Sequence, residues 1–308
     1  MIKRRKKIRI LLPQKRPEKQ AIWGEHYFGI SLSRAMARAG LGGTLDYFRD
    51  TRNGVGSRRW PYSREIDFLI WYGCDRPKKR GRRMVLWVLW GAEQLSDEML
   101  ASAEHIFVAS RTVMDDLAAK GWPVSFLPQC TDTTLFSSRP RLSVLSSDVL
   151  FVGNASECGP PRPSVMEALG AGLNVSVWGA YWENFIPPNH LSGRWIANED
   201  LADHYASAQV VLNDHNPTMT AQGFASNRIF DVLACGVPLV SDRIIPGAGL
   251  EPELAGQIQM YDPGGMAEAV EKARAVTAQD RVECAEYVAR HHSFDARVAE
   301  IASVMGIR

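Results

Sequence analysis

Short runs rich in Ile, Val and Leu alternate along this chain with longer stretches whose apolar positions recur at helical spacing. Lys7 to Leu12 predicts a first strand, and residues 25–39 predict a helix ended by Gly40. Residues 43–47, 68–72 and 85–89 predict further strands. A helix near 96–103, a strand at 106–109 and a helix at 111–120 follow, with Leu127 closing this half. A second alternation starts at Val149 and ends in helices at 265–276 and 280–291, with a last helical segment at 293–305. The stretch S-S-R-P-R-L-S-V-L-S-S at 137–147 reads as a linker by its Ser, Pro and Arg content. Strand and helix alternating through both halves predict an α/β protein, with two doubly wound parallel-sheet (Rossmann-like) domains facing a central cleft. No solenoid-type repeat is present in the sequence.

The segment 206–242 is the richest in chemistry. Val210 to Leu212 is a buried-strand run that opens into Asn213, Asp214 and His215 and a polar loop reaching Gly223. Ser226 is placed to cap a helix starting at Asn227, Gly236 to end it in a left-handed conformation, and 237–241 to form the next strand. The N-terminus of such a helix carries unpaired N–H groups and the positive end of the helix dipole, which favours a phosphate; Gly223 lets the backbone come close to one. Asn227 and Asp231 are four apart and share a helix face. Asp231 then lies one turn below the phosphates, where a carboxylate accepts from a ribose diol. Arg228 is expected as a mobile cation at the mouth.

Gly223-Phe224, Ser226-Asn227-Arg228, Phe230-Asp231 and Ala234-Cys235-Gly236-Val237-Pro238 resemble the signature of the group 1 glycosyltransferases, in the branch related to spore-maturation glycosyltransferases. Phe151-Val152-Gly153-Asn154 is similar to the family's first strand and phosphate loop in its C-terminal half, and Val175 to Gly179 to its V-x-V-x-G strand. A-E-H-I-F-V-A-S at 103–110 and L-P-Q-C-T-D-T-T-L-F at 127–136 resemble the exit from its first domain. The resemblance covers most of the chain. It implies the GT-B fold, with an acceptor-side domain over 1–142, a nucleotide-sugar domain over 143–292 and a C-terminal helix over 293–308 crossing back. One position departs from the pattern. Larger relatives carry two glutamates eight positions apart, and here Asp231 matches the second while Gly223 stands in place of the first. That first glutamate is tied to retention of configuration, so retaining and inverting outcomes both stay open.

Ligands of doubly wound sheets bind beyond the C-terminal strand ends, which selects the remaining candidates. Trp23-Gly24-Glu25-His26-Tyr27 resembles the family's acceptor-facing first loop. His26 is a candidate acceptor ligand or base, since an imidazole titrates near neutrality; Glu25 is the alternative, or an ordinary first-turn acid. Glu93, after the 85–89 strand, either points into the cleft or caps a helix. Gly153 and Asn154 with Arg162 form a candidate diphosphate cradle. Trp178 and Gly179, opening the run Trp178-Gly179-Ala180-Tyr181-Trp182, offer aromatic stacking for a base or sugar, or simply core. His215, Met219 and Gly223 line the loop where a donor sugar belongs, with a satisfied structural imidazole as the other role for His215. The donor implied is a nucleoside diphosphate sugar, UDP- or GDP-linked, with no cofactor and no metal. The paired acids Asp115-Asp116 sit within a helix and make no metal site.

Composition narrows the setting. The chain has 308 residues and 45% hydrophobic content, enough for two cored domains. No apolar run reaches the roughly 18 residues of a membrane span, and the basic start lacks a signal-type apolar stretch. Cys74, Cys130, Cys158, Cys235 and Cys284 are scattered and have no C-x-x-C spacing, which fits a reducing cytoplasm. The net charge of +2 conceals an asymmetry: residues 1–92 carry 22 Lys and Arg against 7 Asp and Glu, whereas 93–308 carry 14 against 27. The clusters at 3–7 and 76–83 suit an anionic partner, an acceptor glycan or lipid-linked precursor or the inner face of a membrane; solvated strand flanks are the plain alternative. Nucleic acid is disfavoured, because no basic stretch is interleaved with stacking aromatics. A non-catalytic glycan- or partner-binding subunit and a nucleotide-sugar epimerase are the rival functions on the same fold.

Overall fold

The computed structural model describes residues 7–13, 24–47, 65–72, 83–155, 161–245 and 247–307. The chain divides into two units, one of Met1–Gln129, Ala221–Phe224 and Phe294–Arg308, the other of Cys130–Thr220 and Ala225–Ser293. Each carries a six-stranded parallel sheet among its described residues. Two such sheets are what the resemblance to the GT-B fold implies.

In the first unit β1 (Lys7–Leu12), β2 (Gly42–Tyr47), β3 (Glu65–Tyr72), β4 (Arg83–Trp90), β5 (His105–Val108) and β6 (Val124–Phe126) lie in the order β2-β1-β3-β4-β5-β6. The chain steps from β1 to one side and then to the other, so the switch point falls between β1 and β3. Near-continuous apolar composition explains why β3 and β4 are central, since Phe68–Trp71 and Met84–Leu89 are almost fully buried. Their tryptophans keep their N–H groups satisfied: Trp71 Nε1 donates to Gly91 O at 3.0 Å and Trp87 Nε1 to Leu127 O at 2.9 Å. Phe28 on the Gly24–Arg38 helix meets Trp87 edge-on at 5.2 Å between centroids and Phe294 at 4.7 Å. The Phe294–Val304 helix is thereby fixed in this unit, and buried Arg297 donates to Pro128 O and Gln129 O.

In the second unit β7 (Ser147–Val152), β8 (Val175–Trp178), β9 (Leu191–Gly193), β10 (Ala208–Asn213), β11 (Leu239–Asp242) and β12 (Ile258–Tyr261) take the order β12-β11-β10-β7-β8-β9. Alternate residues feed two cores, one on each sheet face. Leu150, Val211, Leu239 and Ile258 pack with the helices Leu201–Ser207, Asn227–Ala234 and Ala278–His291. Val149, Phe151, Val210, Leu212 and Val240 pack with Pro163–Gly170 and Met266–Arg274. The strand order reverses between β7 and β10, and the crevice beyond their C-terminal ends is where a ligand of such a sheet binds.

Three local expectations change. The 137–147 stretch lies within the second unit, tied down by Arg139 on Asp203 and by Leu142 N on Ser207 Oγ. The loop before Gly223 contains a helix, Pro217–Gln222, in which Asn216 Oδ1 accepts from Met219 N at 2.8 Å. An Asn followed by Pro is a cap and first-turn signal that was legible at 216–217. Ser226 stands at the N-cap of the Asn227 helix but its hydroxyl caps nothing; Gly236 ends that helix at φ +70° as expected.

The loops after β7 and β8 are closed on each other. Gly153 N donates to Trp178 O at 2.8 Å, Ala155 N to Ala180 O at 3.0 Å, and Ala180 N to Asn154 Oδ1 at 2.9 Å. A Cβ at Gly179 would stand 2.1 Å from Gly153 O, which neither backbone can yield. Gly179→Ala is therefore expected to cost about 3 kcal/mol in chemical denaturation, while Gly170→Ala, with open space around it, changes stability little.

Candidate functional site

Two guanidinium groups occupy the crevice at the β7/β10 switch point. Arg228, in the first turn of the Asn227–Ala234 helix, donates from Nη2 to Val152 O at 2.6 Å and from Nη1 to Asn213 Oδ1 at 3.0 Å. It lies 5.1 Å from the Phe151 ring centroid. The expectation of a mobile cation is corrected: the strand ends hold it through neutral acceptors. Among the described residues no carboxylate forms an ion pair with it. Arg162 donates to Asn154 O at 3.0 Å and to Asp214 Oδ1 at 3.1 Å, and buried Asp214 also accepts from Ser164 Oγ at 2.9 Å. Burial lowers the Arg162 pKa, Asp214 opposes that shift, and the Arg228 charge adds to it, so the two cations feel each other. Gly153 leaves room between them, since a Cβ there would come 3.0 Å from Arg228 Nη2. Gly153, Asn154, Arg162 and Arg228 are thus brought together, Arg162 paired with Asp214 and Arg228 paired directly with no carboxylate among the described residues, while Asn227 turns to Asp231.

His215 is not available to a donor sugar. Its Nδ1 is 2.6 Å from Asp242 Oδ1 and its Nε2 accepts from Ser226 N at 2.9 Å, so it is the satisfied imidazole of the two roles foreseen. Met219 is half-buried on the Pro217 helix. Gly223, at φ +72°, and fully buried Phe224 group with the first unit, where Ser110 Oγ donates to Gln222 O. Trp178 is spent on the protein: its ring packs edge-on to His204 at 5.0 Å and lies under Gly193. Trp182 is fully buried with Nε1 on Gly153 O at 2.8 Å. Tyr181 is the exposed ring of that run, 42% accessible, on a backbone at φ +69°. A non-glycine residue in that conformation marks local strain held by its neighbours. The closed Gly153–Ala180 loops supply the restraint.

Asp231 is buried, with Oδ1 accepting from Thr131 Oγ1 at 2.7 Å and Oδ2 from Asn227 Nδ2 at 2.9 Å. Desolvation lifts its pKa from 3.8 to about 7; the two hydrogen bonds pull the other way, Asp132 adds to the rise, and Arg228 opposes it. Asn227 Oδ1 and Asp132 Oδ2 are buried and without a hydrogen-bond partner among the described residues. Thr131 carries no local signal as a site residue, because its contact with Asp231 spans 100 residues of sequence; Asp132 acts on Asp231 through its charge.

In the first unit Glu25 and His26 open the helix that follows β1. Burial raises the Glu25 carboxyl and lowers the His26 imidazole. His26 Nδ1 is 2.8 Å from Tyr47 OH, and the two rings stack at 5.8 Å. Glu93 is exposed in a short turn after Gly91 and accepts from Gln94 Nε2 at 3.2 Å. It caps no helix; Ser96 Oγ caps the next one through Met99 N. Trp23, Cys74, Cys158 and most of the basic clusters at 3–7 and 76–83 lie outside the described residues; Arg83 pairs with Glu104. No described helix is long and apolar enough to cross a membrane.

Comparison with known proteins bears on the fold and on the second half of the chain. Residues 162–303 match the family described as Glycosyl transferase-like. The fold is similar to that of sucrose-phosphate synthase from Thermosynechococcus elongatus (TM-score 0.64, 12% identity, covering 98% of each chain). It is also similar to HepE from Anabaena, solved with UDP and glucose (TM-score 0.62, 12% identity, 98% of this chain and 99% of that one). An alpha-glucosyltransferase solved with UDP and a 13-mer DNA gives a TM-score of 0.65 at 12% identity, covering 98% of this chain and 100% of that one. No curated protein matches in sequence. The fold is that of the GT-B glycosyltransferases, and the match to the Glycosyl transferase-like family is confined to residues 162–303. The family match covers the second half, where the two arginines lie.

The raised carboxyl of Asp231 fixes a sign for stability. Between about pH 4 and pH 7 the folded state keeps a proton that the unfolded state has lost, so this group makes the fold less stable as pH rises through that window and changes nothing further above it. Asp231→Asn removes the effect, and Asn227 can turn its free Oδ1 to the new amide. Urea denaturation at several pH values is expected to show the variant gaining on the native protein by on the order of 4 kcal/mol from pH 4 to 7. A pH-independent difference contradicts this.

Proposed function

We propose that the protein transfers a sugar from a nucleoside diphosphate sugar to a hydroxyl of a glycan or lipid-linked acceptor. The observation that carries this reading is the uncompensated, half-buried Arg228 guanidinium beside Arg162 at the switch point, next to the N-terminus of the Asn227 helix. A diphosphate supplies the missing negative charge, and the guanidinium forks and helix N–H groups stabilise it as it leaves. No step in this scheme calls for a metal ion.

Asp231 and the unpartnered Asn227 Oδ1 beside it are the groups we assign to the ribose hydroxyls, since each carboxylate oxygen keeps a lone pair after its protein contact. Tyr181 offers a ring face to the base. On the acceptor side, His26 is the base: burial keeps it neutral at pH 7, and with Nδ1 on Tyr47 its other nitrogen can take a hydroxyl proton. The positive first half favours an anionic acceptor or an anionic membrane surface close by.

Thermal shift with UDP, GDP and ADP tests the donor site. One diphosphate at about 100 times its Kd is expected to stabilise the native state by about 2.7 kcal/mol. Arg228→Ala and Arg162→Ala each weaken binding by roughly 10- to 100-fold. His26→Ala leaves nucleotide binding intact and lowers transfer by about 100-fold. Absence of binding by every diphosphate at millimolar concentration refutes the reading.

A further inference from the structure

A continuous set of hydrogen bonds converges on one carboxylate beside the donor site. The His215 side chain is fully buried, with Nδ1 2.6 Å from Asp242 Oδ1 and Nε2 2.9 Å from Ser226 N. A backbone N–H can only donate, so Nε2 is the unprotonated nitrogen and the ring proton lies on Nδ1, toward Asp242. Asp242 grips the same residue a second time, Oδ2 accepting from His215 N at 3.1 Å. A second branch runs from Arg228 Nη1 to Asn213 Oδ1 (3.0 Å), from Asn213 Nδ2 to Ser241 Oγ (2.9 Å) and from Ser241 Oγ to Asp242 Oδ1 (3.1 Å). Every donor along both branches points toward Asp242. One branch ends on the N-cap backbone of the Asn227 helix and the other on its arginine.

We propose that His215 and Asp242 are positioning residues for the donor: they set the start of the Asn227 helix and, through Ser241 and Asn213, the pose of Arg228. The proposal rests on the diphosphate reading of this site. Its physical basis is that neither end of the network is fixed by local chain geometry. The Ser226 hydroxyl makes no cap, so the helix start takes its orientation from the His215 contact. A long arginine side chain loses much rotamer freedom when ordered, and a charged hydrogen bond to a fixed Asn213 does that ordering before the ligand arrives. His215 has no lone pair or proton left for substrate, so its effect on binding can only pass through Ser226 and Asp242.

The test pairs a ligand-free readout with a binding readout on the full chain. Amide hydrogen exchange of the 224–231 segment is followed without ligand in the native protein, His215→Ala and His215→Gln. Affinity for UDP, GDP and inorganic pyrophosphate is measured by calorimetry in the same proteins. His215→Ala is expected to speed exchange in this segment and to weaken diphosphate binding about tenfold or more. His215→Gln, whose amide oxygen can accept from Ser226 N, is expected to recover most of both. Asp242→Asn provides the second variant if His215→Ala does not fold, with the same expected direction. Unchanged exchange and affinity in His215→Ala, or losses that His215→Gln does not restore, overturn the proposal. If the native protein binds none of the three probes, the diphosphate reading falls, while the exchange comparison still decides whether His215 holds the helix start.

Discussion

A guanidinium held half-buried by neutral acceptors is the constraint around which the second unit is organised. Arg228 takes the carbonyl of Val152 and the amide oxygen of Asn213, which stand at the ends of adjacent strands β7 and β10. Both acceptors exist only because the two strands run parallel and finish together, and that follows from the doubly wound topology. The charge itself is left without a carboxylate partner among the described residues. Burying a cation without a directly paired anion is unfavourable, which is the physical ground for the proposed diphosphate site.

The acids nearby keep that imbalance in place. Asp214 balances Arg162 through an ion pair and is itself held by Ser164. Asp231, on the same helix as Arg228, is desolvated until its pKa stands near 7, so a substantial share of it is neutral at physiological pH. Asp242 is turned toward His215 and Ser241. Each carboxylate that might have cancelled Arg228 is paired elsewhere, protonated in part or committed to a hydrogen bond. Under the proposed function a diphosphate completes Arg228, with which none of these carboxylates pairs directly.

Much of this was legible in the sequence, for local reasons. Strand and helix periodicity gave the parallel sheets, Gly236 marked the end of the Asn227 helix, and strand-loop-helix joints located Gly153, Arg162 and Asn227 near one another. What was hidden depends on distant contacts. The anchor of Arg228, Val152 O, lies 76 residues away, so the local sequence shows only a free cation at a helix start. The partner of His215, Asp242, lies 27 residues on in the next strand, so the sequence alone leaves both of its roles open. Trp178 and Tyr181 look alike in a run of aromatics; the Gly193 and His204 contacts bury the face of one, and the strained loop exposes the other. The Asn216-Pro217 cap was a missed local signal rather than a hidden one.

The most direct measurement is a crystal structure of the protein with a bound nucleoside diphosphate. The account predicts phosphate oxygens within hydrogen-bond distance of both Arg162 and Arg228, with backbone N–H groups at the start of the Asn227 helix completing the contacts and His215 still on Ser226 N. A nucleotide bound elsewhere, or phosphates that leave Arg228 on its two neutral acceptors and touch neither guanidinium, would contradict it.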